Sequence, residues 1–371
     1  MKDSHLYHDF EDLILKLAIL AGASDYSRLT GSRVVLFANR FSGALADPRL
    51  LARIRDAAAE HLRRIPEASG HAVPGDTTPG DATSGDAPPG AVVFSPNRRE
   101  QIPSELLGLA GYLKEALLEG SRGILLLSVG GDGTHKSVLS ILLTLSETLR
   151  RRVVVFRFPA GSSNDGPSSA SPEEAIDRLL IADAEVSLKA LEIETRLGGR
   201  ELGFNIASFG IDAYTTIKNE QFRGVFGGNS YRALANLAVL FYEVAHGPGM
   251  LRLEIETDQG EVLVVEESLI LIAVGVSGGR TYGGGIAILP DDGNLCFVEH
   301  LGLIGKLALK RRLLRGTHLG HPKVHSHKIA RLILTAERPI PIQIDGEARW
   351  LSPEEGPVVV HLGREHIQEL I

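Results

Sequence analysis

The sequence predicts two domains in series: an α/β domain on a doubly wound parallel sheet, then a β-rich domain, with a cleft between them. Short apolar runs alternate with amphipathic helical segments up to about residue 160, the signature of right-handed strand–helix–strand crossovers. Beyond about residue 185 short strand candidates take over, several alternating polar and apolar residues as antiparallel sheets do. A length of 371 residues suits two such domains, at roughly 100–200 residues each.

Taken in order, residues 1–32 form a helical extension. Leu13, Leu15, Leu17, Ile19 and Leu20 give it an apolar side, while Asp9, Glu11, Asp12 and Lys16 interrupt the run as a signal peptide or membrane span would not. The α/β domain covers 33–167. Arg33-Val-Val-Leu-Phe-Ala38 reads as a buried strand, and Asp47 caps a helix with Pro48 in its first turn. Residues 66–90, rich in Pro, Gly, Asp, Thr and Ser, carry too little apolar surface to order themselves and read as a flexible insertion. A strand at 91–94 precedes a helix capped by Ser104 and ended by Gly120. The run 123–129 is apolar throughout, as a central parallel strand requires. Thr134 caps the next helix and 153–156 is the following strand. The β-rich domain covers 168–360, with strand candidates at 191–195, 202–206, 251–255, 262–267, 269–276, 296–298, 330–334, 340–344 and 358–362, and a helical segment near 231–245. Residues 361–371 are expected to return to the first domain.

A hydrophobic fraction of 43% and a charged fraction of 23% describe an ordinary soluble protein, and a net charge of −7 argues against nucleic acid as a partner. A single cysteine, Cys296, excludes an intramolecular disulfide and suits a reducing cytoplasm. His318, His321, His325 and His327 have neither cysteines nor paired acids nearby and read as structural. Lys306, Lys310, Arg311, Arg312 and Arg315 lie beside Leu301, Leu303, Leu307 and Leu313. A solvated surface is the first reading, and peripheral contact with anionic lipid the second.

The chemistry concentrates in Gly130-Gly131-Asp132-Gly133-Thr134, between an apolar strand and a helix. Glycines there let backbone N–H groups approach an anion, and the helix N-terminus favours negative charge. Asp132 would repel a phosphate unless a cation lay between them, which makes it the candidate Mg²⁺ holder; the other reading is a tight turn with Asp132 as a cap. Two more loops fall at equivalent strand ends: Asn39-Arg40-Phe41-Ser42-Gly43, and Pro159-Ala160-Gly161-Ser162-Ser163-Asn164-Asp165. Three polar, glycine-bearing loops on one sheet edge make a ligand rim. A Walker loop fails because His135 stands where glycine is required, and no Gly-x-Gly-x-x-Gly follows the first strand.

Together these loops resemble the diacylglycerol kinase catalytic family, which includes sphingosine, ceramide and bacterial lipid kinases within the NAD kinase–diacylglycerol kinase superfamily. The resemblance continues through Phe204-Asn-Ile-Ala-Ser-Phe-Gly210, Tyr282-Gly-Gly-Gly-Ile-Ala-Ile-Leu-Pro290, Asp292-Gly293 and Asp345-Gly346-Glu347. It implies a β-sandwich as the second domain, ATP as phosphate donor, Mg²⁺ as cofactor and a lipid alcohol as substrate. It also implies nucleotide contacts from Asn39, Ser42, Gly43, Gly130 to Thr134, Ser162, Asn164, Asp165 and Glu347. Asp345 matches the family's proton acceptor, and Asp292 an aspartate that holds a structural Mg²⁺. Read without the family, Asp345-Gly346 is equally a hairpin-turn signal. Arg40 replaces a proline of the pattern, Ser162 a threonine, and His135-Lys136-Ser137 an Asn-Glu pair; the segment before Asp292 is short. Two alternatives follow: a kinase of a soluble acceptor such as NAD, or a nucleotide-binding regulatory protein without catalysis.

Overall fold

The computed structural model describes residues 2–65, 91–161, 171–223, 249–282 and 286–371. The 66–90 insertion, the helical segment expected near 231–245, the glycines 283–285, and Ser162, Asn164 and Asp165 lie outside the described residues. The chain divides into two compact units: Met1–Asn164 with Ser168–Leu188 and Glu365–Ile371, and Lys189–Arg364.

Unit one is built on strands β1 (Arg33–Ala38), β2 (Ala91–Phe94), β3 (Ile124–Gly130) and β4 (Val153–Pro159), joined by the end of the chain's last strand, β17 (Val358–Leu370). Their order is β2-β1-β3-β4-β17, and every neighbouring pair is parallel. Alternate residues point to opposite faces of a strand. Val34, Leu36 and Ala38, Leu125, Leu127 and Val129, and Val154, Phe156 and Phe158 therefore share one face, packed into a single core with three helices. These are α1 (Lys2–Ala23), α3 (Pro48–Arg64) and α7 (Pro172–Ile181), contributing Leu13, Leu17 and Leu20, Leu51 and Ile54, and Ile176 and Leu179. The short α2 (Asp25–Thr30), capped by Ser24, links α1 to β1. Two further helices, α4 (Ile102–Leu118) and α5 (Asp132–Leu142), pack together and against β2 and β3, and α6 (Glu147–Arg150) precedes β4. This is the doubly wound sheet the alternation of runs predicted.

Three local readings are corrected. The cap of α4 is Gln101 rather than Ser104: Pro103 needs no backbone donor in the first turn, and the Ser104 hydroxyl donates back to the Gln101 carbonyl at 2.8 Å. The cap of α5 is Gly131 rather than Thr134, which sits inside the first turn. Residues 168–188 belong to unit one, because α7 buries Ala175, Ile176 and Leu179 in its core.

Unit two is a β-sandwich. Its strands are β5 (Glu185–Glu194), β6 (Arg200–Gly203), β7 (Ile206–Gly210), β8 (Met250–Thr257), β9 (Val262–Gly275), β10 (Arg280–Tyr282), β11 (Ile286–Leu289), β12 (Leu295–Glu299), β13 (Val324–His327), β14 (Ile329–Ala336), β15 (Ile340–Ile344) and β16 (Glu347–Leu351). The long β9 serves both layers. Its first half pairs antiparallel with β8, which continues to β14, and its second half pairs with β7 and β12. Burial follows the division: Val262 to Val264 are mostly exposed, whereas Ile270 to Val274 are buried. The expected strand at 202–206 is broken in two, because Gly203 ends β6 and Ile206 begins β7. Two described helices of unit two escaped the sequence reading, as α6 and α7 did in unit one. Helix α8 (Ile211–Arg223) buries Ala213, Tyr214 and Ile217 and packs on β7, β15 and β16. Helix α9 (Leu303–Leu313) is seated by Leu309 among Leu289, Cys296 and Val298.

That core explains two residue types noted in the sequence. Cys296 is fully buried, and burial pushes its thiol up to about 12. Since the thiolate is the reactive form, folded protein at pH 8 should resist an aromatic disulfide reagent for as long as it stays folded and react with one thiol per chain in denaturant. Prompt reaction of native protein would show that this core opens. The histidines pack rather than assemble. His318 is buried and bonds the Ile288 carbonyl through Nε2 at 3.0 Å, and burial holds its imidazole below the ordinary range. His325 and His327 stack on Phe297, with centroids 4.7 and 5.8 Å away.

Candidate functional site

All parallel strands of unit one end at the same edge, so the loops after β1, β3 and β4 meet there. Backbone hydrogen bonds lock them. Asn39 N donates to Val129 O at 2.9 Å, Ala160 N to Gly130 O at 2.8 Å, and Ala44 N to Ala160 O at 3.0 Å. Side chains add a second layer. Asn39 Nδ2 donates to Thr134 Oγ1 at 2.9 Å, Asn39 Oδ1 accepts from Phe41 N at 3.1 Å, and Ser42 Oγ accepts from Gly131 N at 3.2 Å. Asn39, Ser42 and Thr134, three expected nucleotide contacts, thus bind one another and set the loop spacing.

The glycines divide by role. A Cβ on Gly130 would come within 2.7 Å of the Thr134 side chain, and one on Gly131 within 3.1 Å of Gly161 Cα. Both are required by close packing of the loops. A Cβ on Gly133 would meet nothing within 4 Å among the described residues. Gly43 is exposed on the neighbouring loop. The early N–H groups of a helix lack intrahelical partners. Here they sit at a glycine-rich loop, the kind of helix start that favours an anion.

Asp132 has a protein partner that the sequence reading missed. Arg157, on β4, forms an ion pair with its carboxylate; the two side chains are 7% and 22% exposed. The chain itself thus sets a cation against the Asp132 carboxylate. Arg157 is the one charge in the apolar run Val153-Val-Val-Phe-Arg-Phe158, and a lone arginine inside a buried strand was the available signal. Behind it, His135 Nε2 lies 3.6 Å from Glu369 on β17, both residues being buried.

A single carboxylate already held by a guanidinium does not compose a divalent-cation site on its own. Asp292 is exposed, and its neighbour Asp291 accepts from Gly293 N and the Ser326 hydroxyl, each at 3.1 Å. Among the described residues, Glu192, Glu194 and His361 are the group with ligand atoms close enough for one metal ion, and Asp132 and Asp292 join no such group.

In unit two, Asp345 and Gly346 form the two-residue turn between β15 and β16, closing on the pair Ile344–Glu347. Both have positive φ, 51° and 87°, as a type I′ hairpin demands. The turn also aims a carboxylate. Asp345 accepts from the backbone N–H groups of Phe204, Asn205 and Ile206 at 2.6, 2.9 and 3.1 Å. Those residues are the break between β6 and β7, so the interruption of the expected strand is what frees three donors. Behind the turn, Gln343 accepts from Gly346 N at 2.8 Å and donates to Asp212 at 3.2 Å, and Asp212 accepts from the Ser208 hydroxyl at 2.5 Å. Gln343 and Ser208 are buried, and the sequence reading gave neither a role of its own. Glu347 is exposed at the start of β16.

Residues 205–361 match the family model described as the YegS C-terminal NAD kinase beta sandwich-like domain. That stretch, under half of the chain, is its NAD kinase-like β-sandwich domain. Solved structures share the fold over most of the chain. Two structures of a candidate diacylglycerol kinase from Bacillus anthracis str. Sterne have TM-scores of 0.55 and 0.52. Each is 16% identical, with 91% of this chain and 97% of the other covered. No curated protein matches the chain in sequence. No helix among the described residues is long and apolar enough to cross a membrane.

Proposed function

We propose that this chain transfers the terminal phosphate of ATP to the hydroxyl of a lipid alcohol of the diacylglycerol or sphingosine kind. The observation that carries the reading is the locked rim of unit one, where the loop after β1 is hydrogen-bonded to the glycine-rich first turn of α5, an arrangement that suits a polyphosphate. Asn39, Ser42, Gly43 and Gly130 to Thr134 would contact the nucleotide, with Ser162, Asn164 and Asp165 from the third loop and Glu347 from unit two. Asp345 would accept the proton of the attacking hydroxyl. Its turn geometry and three N–H donors hold the carboxylate in one orientation, which positioning catalysis requires. Mg²⁺ arriving with the nucleotide would neutralise charge on the transferring group, and Asp132 is the carboxylate placed to hold it once Arg157 shares it. Asp292 is the candidate for a second, structural ion.

One observation favours a second reading. The Asp132–Arg157 pair already satisfies the loop carboxylate, as would suit a protein that binds nucleotide without catalysis. The deciding experiment incubates the chain with labelled ATP and either lipid extract or NAD, and identifies labelled products by mass spectrometry. A phosphorylated lipid is the expected result. A phosphorylated NAD would move the acceptor to the soluble class, and nucleotide binding with no product in either arm would leave the regulatory reading standing.

A further inference from the structure

We propose that α9 and the turn after it form a docking face for an anionic lipid bilayer. The sequence reading treated this stretch first as solvated surface, yet its apolar side chains point away from the protein. Leu309 is the buried anchor, whereas Leu303, Ile304, Leu307 and Leu314 are 53%, 84%, 47% and 58% exposed. At roughly 100° per residue, Leu307 and Leu314 lie nearly opposite Leu309, with Leu303 and Ile304 to either side. The outward side is thus an aliphatic ridge. Arg311 and Arg315 stand on the same side, both exposed, and Lys310 flanks it.

Charge selects the occupant. Residues 301–316 contain Lys306, Lys310, Arg311, Arg312 and Arg315 and no Asp or Glu, in a chain whose net charge is −7. A local block of one sign against the sign of the whole is complementary to an acidic surface. Four aliphatic side chains standing into water, framed by arginines that can keep their heads at phosphate level, are the pattern of a helix lying in a membrane interface. An acidic protein partner would have less use for the aliphatic ridge, and a second copy of this chain would set basic residues against basic residues.

The test is co-sedimentation of the full chain with vesicles of phosphatidylcholine alone or of phosphatidylcholine mixed with phosphatidylglycerol. It needs no turnover, so its outcome is separable from that of the kinase reading. Binding is expected to the mixed vesicles and to weaken as salt rises. Arg311→Ser with Arg315→Ser should lower it about 25-fold, at roughly fivefold per basic residue. Ile304→Ser with Leu307→Ser should lower it roughly tenfold or more, with the melting temperature unchanged because both side chains face water. Leu197→Ser, an equally exposed leucine elsewhere in unit two, should bind as the parent does. Equal binding to both vesicle types, binding indifferent to the α9 variants, or self-association lost in those variants without vesicle binding would each overturn the proposal.

Discussion

Replacing Asp345 by asparagine is expected to lower phosphoryl transfer by about 10²–10⁴-fold while nucleotide affinity stays near that of the parent. The amide keeps the shape of the carboxylate but cannot take the hydroxyl's proton. The structure adds a second expectation. Asp345 accepts three backbone N–H bonds, and an asparagine NH₂ turned toward those donors would repel one of them. A stability loss of about 1–3 kcal/mol should follow. Single-turnover transfer measured well below the variant's melting temperature separates the two effects. Turnover unchanged alongside a lowered melting temperature would leave Asp345 as the pin of the β6–β7 break and nothing more.

The second large effect concerns Arg157. Removing one partner of a part-buried ion pair leaves the other less well compensated, at a cost of about 1–3 kcal/mol. Arg157→Leu should therefore destabilise unit one by that order, since Asp132 would keep its charge beside an apolar side chain. Asp132→Asn introduced in the same chain should restore much of the loss by removing that charge. The four-way comparison of parent, single and double variants by urea unfolding measures the coupling directly. A cost below about 1 kcal/mol for Arg157→Leu would mean that solvent or a bound nucleotide, rather than Arg157, carries the Asp132 charge. Titration of nucleotide into Asp132→Asn with and without Mg²⁺ completes the picture: a loss confined to the Mg²⁺ arm assigns the carboxylate to the metal.

Much of the site was legible because its signals are local. Glycines and a helix start after an apolar strand are one-dimensional facts, and they sufficed to place the strand-to-helix turn at Gly130 to Thr134. The turn at Asp345-Gly346 was equally legible, since the two positive φ values of a type I′ hairpin restrict which residues can stand there. Strand–helix alternation sufficed for the parallel sheet, and the change of period after residue 185 for a β-rich domain, whereas the sandwich came only as what the family resemblance implies. What a residue does once placed was not local. Nothing near Phe204 in sequence reveals that its N–H would meet a carboxylate 141 residues away.

The sequence by itself therefore determined the classes: parallel sheet then antiparallel strands, polar loops at strand ends, a hairpin at Asp345. Hydrophobic period and backbone sterics act within a few residues, and a reader of the chain can apply them. Tertiary structure alone decided the partners. It set Arg157 against Asp132 across two strands, gave the Asp345 carboxylate three donors from a broken strand, and turned the leucines of α9 outward while burying only Leu309. Those outcomes depend on register and on which face meets the core, and a side chain's polarity at one position says nothing of what the fold will bring beside it.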